Sequence, residues 1–176
     1  MKKIISLFTA LLLVLSLSGC VNKKVSDSLD TYLEMDVPLI NDNLSIFPEK
    51  SALETVQVER YHSLSASTLL FDDAYLLLEC SYTPEQYEQE IHRLKNLGAF
   101  YREDLFYQPA YVMLFCNDYY EYALVDNERL CVVYIYAMTP RLGADNSVSM
   151  LTDFPTEYYP IAQPEEDIDV YEYAEE

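Results

Sequence analysis

A chain of 176 residues is of a size for one globular domain with a short appendage. Its 30 acidic and 11 basic side chains give a formal net charge of −19 at pH 7, and a field of that sign repels nucleic-acid phosphates and argues against DNA or RNA as a partner. Only three glycines occur, which leaves little material for a loop that cradles phosphate.

The chain starts with Lys2 and Lys3, followed by an almost unbroken apolar run from Ile4 to Leu17. That run is shorter than the roughly 20 residues a helix needs to cross a bilayer. Positive flank, short apolar run and small residues together predict a secretory signal over residues 1–19. It ends Leu17-Ser18-Gly19-Cys20. This pattern resembles the lipobox of bacterial prolipoproteins. The resemblance implies cleavage between Gly19 and Cys20, a diacylglyceryl group on the Cys20 sulfur, and a lipid-anchored (palmitate-type) protein on the extracytoplasmic side of the cell membrane. Cysteine suits the chemistry because its sulfur is the strongest side-chain nucleophile. Two acyl chains are needed because one alone holds only marginally. Loss of Lys2 and Lys3 with the signal takes the formal charge from −19 to −21.

Residues 20–43 are polar at first and lack a clean period, so they are expected to form a lipidated tether. Within it, Lys23 and Lys24 either meet anionic headgroups or stay solvated. The globular domain is expected over residues 44–161. Val56–Tyr61 alternates as a strand. Ser67–Phe71 and Ala74–Tyr82 read as a hairpin turning at Asp72-Asp73, since Asp favours turn backbones. The stretch from Thr83 to Gly98 carries the marks of a helix. Thr83 and Gln86 form a capping box, Pro84 suits the first turn, and Tyr82 and Tyr87 form a staple. Tyr87, Ile91, Leu94 and Leu97 make an apolar stripe, and Gly98 stops the helix. Three further strands follow at Tyr111–Cys116, Tyr119–Val125 and Leu130–Met138, the last two joined through Asp126-Asn127-Glu128 with Asn127 suited to a left-handed turn. The expected fold class is α+β: an antiparallel sheet of about five to six strands with one main helix packed on one face. From Leu142 onward the chain has ten acidic residues and no basic one, and residues 162–176 read as an acidic tail.

The search for chemistry is short. His92 lies four residues after Glu88 on the polar side of the helix, and His62 sits at a strand end with no second histidine nearby. Cys80, Cys116 and Cys131 fit no zinc spacing and read first as buried apolar residues, with one bridge among them left open. No catalytic residue, cofactor or metal site is predicted. Asp167-Ile168-Asp169 alternates as calcium ligands do but lacks the Gly and closing Glu such a loop uses. The tyrosines are the feature to contest. Of the 17, Tyr111, Tyr120, Tyr122, Tyr134 and Tyr136 fall on strands at alternating positions. If their sides coincide they form one recognition face. If the helix or Phe154–Ile161 covers them, they are core.

The segments FPEK (Phe47–Lys50), YTPEQYEQEIHRLKNL (Tyr82–Leu97), EYALVDNERLCVVYIY (Glu121–Tyr136) and EYYPI (Glu157–Ile161) resemble an uncharacterised extracytoplasmic domain of Gram-positive lipoproteins. That resemblance implies a small α+β domain and no particular activity. The function expected is an anchored binding module for a protein or peptide. The alternatives are an envelope-associated hydrolase and a structural accessory of an envelope complex.

Overall fold

A computed structural model describes residues 22–34, 40, 44–67, 72–116, 119–138, 154–161 and 168–169. Its centre is one antiparallel sheet. In chain order the elements are β1 (Asn22–Ser26), α1 (Leu29–Leu33), β2 (Gln57–Ser67), β3 (Asp72–Ser81), α2 (Pro84–Asn96), β4 (Phe100–Arg102), β5 (Ala110–Cys116), β6 (Tyr119–Asp126), β7 (Cys131–Met138) and β8 (Ile168–Asp169). The spatial order is β1-β2-β3-β7-β6-β5-β4, and β8 also pairs with β5. β4 lies along Ala110–Val112 of β5, while β8 lies along Leu114 and Phe115, so the two short strands share one flank of β5.

Among the described residues the fold is therefore mainly β, with seven strands side by side in one sheet and a single helix of substantial length, and the α+β expectation of five to six strands is corrected. The difference lies in short polar segments whose strand character comes from a partner rather than from their own pattern. β1 arises within the stretch expected to be tether, β4 in a polar loop, and β8 in the acidic tail. Asn22 pairs with Ser67 and Ser26 with Ser63, so the sheet begins two residues after Cys20.

The hairpin is also redrawn. β2 runs through Ser63 and Ser65, both buried, which had broken the apolar pattern. Asp72 and Asp73 pair with Ser67 and Ala66 as the start of β3 and do not form the turn. The link between those strands lies outside the described residues. At the β6–β7 turn the left-handed residue is Leu130, with φ of 52°, rather than Asn127. Asp126 Oδ1 accepts from the backbone N–H groups of Glu128 and Arg129 at 3.0 and 2.9 Å, which closes the turn.

Both faces of the sheet are covered. The first face carries α1, α2 and the segment from Leu44 to Glu54. The second carries Leu105, Phe106, Phe154 and Ile168, with Tyr158 and Tyr159 packed against them. This explains why β3 and β7 are continuous apolar runs: a strand covered on both sides has no solvent face to alternate with. β1, at the open flank, is exposed from Asn22 to Val25, and its two lysines oppose edge-to-edge pairing.

α2 follows the sequence reading closely. Thr83 Oγ1 accepts from Gln86 N at 3.3 Å, and Gln86 Oε1 accepts from Thr83 N at 3.0 Å. The Tyr82 and Tyr87 rings lie 6.4 Å apart. Gly98 takes φ of 82°, a left-handed stop that a Cβ would strain. The buried stripe differs in one respect: Glu90 lies under the helix with Tyr87 and Leu94, while Leu97 is exposed.

Candidate functional site

The five tyrosines do not share a face. Tyr111, Tyr134 and Tyr136 lie under α2 and the Leu44–Glu54 segment, while Tyr120 and Tyr122 lie under Phe106 and the Phe154–Tyr159 segment. All five are buried. Alternation holds for the tyrosines within each strand, but β6 is out of phase with its neighbours: Tyr122 pairs with Ile135, whereas Tyr134 and Tyr111 both pair with Ala123. Separately, β5 shifts register against β6 between Val112 and Leu114. Beyond that shift, Phe115 joins Val112 on the face opposite Tyr111 and Met113. The tyrosine side chains are core, and several are anchored by their hydroxyls. Tyr122 Oη donates to the Tyr158 carbonyl at 2.9 Å. Tyr87 Oη donates to Asn127 Oδ1 at 2.9 Å.

Under α2 lies a polar network that the sequence pattern did not disclose. Glu90 accepts from Arg93 through both oxygens, at 2.9 and 2.5 Å, and from Tyr134 Oη at 2.6 Å. The Tyr82 and Tyr134 hydroxyls are 2.5 Å apart. Arg93 Nη2 continues to the Ile46 carbonyl at 2.6 Å, and the Ile46 N–H donates to Glu121 Oε1 at 2.9 Å. Ile46 is fully buried without belonging to a strand or helix. Its two backbone polar groups are satisfied by side chains of the helix and the sheet, which is how an irregular segment can lie against a core. Both acids read as solvated charge in the sequence; Glu90 is 8 % and Glu121 1 % exposed. Burial raises the Tyr82 and Tyr134 phenols, so they remain protonated donors. The network is a latch that holds Phe47 against Tyr134, ring centroids 5.7 Å apart.

The remaining titratable candidates are dispersed. His62 Nδ1 is paired with Asp27 Oδ1, and its ring stacks on Tyr75 at 5.4 Å. His92 is exposed on α2. Cys80 and Cys131 are free thiols on opposite faces of the sheet. Burial pushes each up to about 12, which makes both poor nucleophiles. The Cys116 side chain, Gly19 and Cys20 lie outside the described residues, as does Asp167 of the calcium-like run. Among the described residues no three of His, Cys, Asp and Glu come together as a metal site would require, and no helix is long and apolar enough to cross a membrane.

One concave surface with binding chemistry is a groove of about 410 Å³ between the second half of α2 and the β4 side of the sheet; another, of about 560 Å³, lies beside the Leu44–Lys50 segment and includes Arg93 of the latch. Ile91, Ala99 and Val125 give the first an apolar lining, Tyr101 and Tyr111 add aromatic rings, and Lys95 and Asn127 add an ammonium and an amide. The two rings lie 5.2 Å apart at 55°. Tyr101 Oη donates to Glu103 Oε1 at 2.9 Å, which fixes the ring while 47 % of the residue stays exposed. Tyr101 therefore offers aromatic area at low cost in rotamer freedom. Position in β4, a strand recognised only by its pairing, hid it from sequence reasoning. Phe100 beside it is also exposed, and Tyr107 in the following loop is 78 % exposed. Such a surface accommodates an apolar or aromatic side chain with a polar neighbour. No protein-family model, curated protein or solved structure matches the chain.

Proposed function

We propose that this protein is an extracytoplasmic binding module, held at the cell membrane by a diacylglyceryl group on Cys20, that takes an apolar or aromatic side chain of a protein or peptide partner into the groove beside Tyr101. The observation that carries the binding part is the exposure of Tyr101, fixed in orientation over an apolar lining in a molecule whose other strand tyrosines are mostly buried. Exposed aromatic residues beside a groove are the usual anchors of recognition. The anchoring part rests on Leu17-Ser18-Gly19-Cys20 behind a short apolar run. The negative net charge favours encounter with cationic partners and speeds it at low ionic strength.

A photo-crosslinking residue placed at Tyr101 in intact cells tests the binding part, with Glu54, exposed and outside the groove lining, as the comparison position. The expected result is a discrete adduct from position 101 that position 54 does not give. Tyr101→Ala should then weaken binding of the captured partner at least tenfold, about 1.4 kcal/mol. Identical adducts from both positions, or unchanged affinity in Tyr101→Ala, would contradict the proposal.

A further inference from the structure

We infer that the sheet end bearing Asn22, Ser67 and Tyr119 lies against the lipid headgroups, so that the Tyr101 groove is presented away from the membrane. The inference rests on Cys20 acylation and adds to it a direction. Two Cα–Cα steps separate Cys20 from Asn22, a span of at most about 7.6 Å, and Asn22 is already paired in the sheet with Ser67. A lipid on Cys20 therefore has no long tether and holds the sheet by one end.

Register says which end that is. Ser67 pairs with Asp72, Ala74 with Met138, Met138 with Tyr119, and Tyr119 with Cys116. This end carries the exposed Lys23 and Lys24 of β1, cations suited to anionic headgroups. It also carries Tyr119, 44 % exposed, an amphipathic ring of the kind enriched at membrane–water boundaries. Asp72 belongs to the same end, where its Oδ1 accepts from Ser67 Oγ at 2.5 Å. The opposite end holds the pair Asp126–Cys131, and Asn127, next in the chain, lines the groove. Across β7, with about 3.3 Å per residue, the two ends stand roughly 23 Å apart.

The test uses the full acylated protein in vesicles of phosphatidylglycerol and phosphatidylcholine doped with a headgroup spin label. A thiol-reactive fluorophore is placed at Tyr119→Cys or at Asn127→Cys, with the parent protein treated identically as blank. Quenching at position 119 should exceed that at 127 several-fold. A ten-residue Gly/Ser insertion between Val21 and Asn22 should largely abolish the difference. Equal or reversed quenching on protein whose Cys20 adduct is confirmed by mass overturns the orientation while leaving the anchor intact. An unmodified Cys20 on that sample overturns both.

Discussion

Arg93→Met should lower the free energy of unfolding by about 3 kcal/mol, measured as a shift of the denaturant midpoint at unchanged slope. Stripping one partner from a buried ion pair costs about 3–5 kcal/mol, and the lower end applies because the Arg93 side chain keeps 30 % of its exposure. The loss has two sources. Glu90, 8 % exposed, keeps the Tyr134 hydroxyl but loses both guanidinium contacts. The Ser45 and Ile46 carbonyls lose their charged donor at the same time. Removing the orphaned charge as well, in Arg93→Met with Glu90→Gln, should recover a good part of the deficit, since an uncharged amide costs less to bury than a carboxylate. A single variant within 0.5 kcal/mol of the parent would show that the Glu90–Arg93–Ile46 latch contributes little.

Tyr122→Ala should cost about 3–5 kcal/mol, the range for emptying a buried aromatic site. Tyr122 is fully buried, with the Phe106 ring centroid 4.4 Å from its own. Tyr122→Phe separates the ring from its hydroxyl. That variant should cost about 1 kcal/mol through the lost bond to the Tyr158 carbonyl. It should also speed amide exchange at Ile161, whose N–H donates to the Leu105 carbonyl at 2.7 Å and ties the Phe154–Ile161 segment to the loop before β5. Equal losses from Phe and Ala would show that the hydroxyl, rather than the ring, holds this face together.

These two networks also mark where sequence reasoning succeeds and where it stops. α2 was legible because its information is local: Thr83, Pro84, Gln86 and Gly98 act within one turn of themselves. β5, β6 and β7 were legible because each is apolar over a strand's length. β1 and β4 were not, since Asn-Lys-Lys-Val-Ser and Phe-Tyr-Arg become strands only through pairing with β2 and β5. Period two also failed to sort the tyrosines. It works within a strand but carries no phase from one strand to the next, and Tyr120 and Tyr122 of β6 alternate out of step with Tyr134 and Tyr136 of β7. Glu90 and Glu121 were missed for a further reason. In a chain with 30 acidic residues, nothing in spacing marks Glu90 and Glu121 as acceptors of buried hydrogen bonds rather than as charges facing water. The groove depends on the same non-local geometry, because it joins α2, β4, β5 and the β6–β7 turn.

Placement of a recognition groove at one end of the sheet and an attachment point at the other gives the proposal a physical economy. Under the proposal, a partner approaching from outside would meet Tyr101 without crossing the headgroup layer, and hydrocarbon rather than charge would keep the acidic body from drifting off. The anchoring and the orientation both depend on the Cys20 sulfur. Mass spectrometry of the protein isolated from the membranes of its own cells is the most direct test. The expected product begins at Cys20 and carries a diacylglyceryl thioether. A product that begins at another residue, or at a Cys20 with a free thiol, would contradict the account.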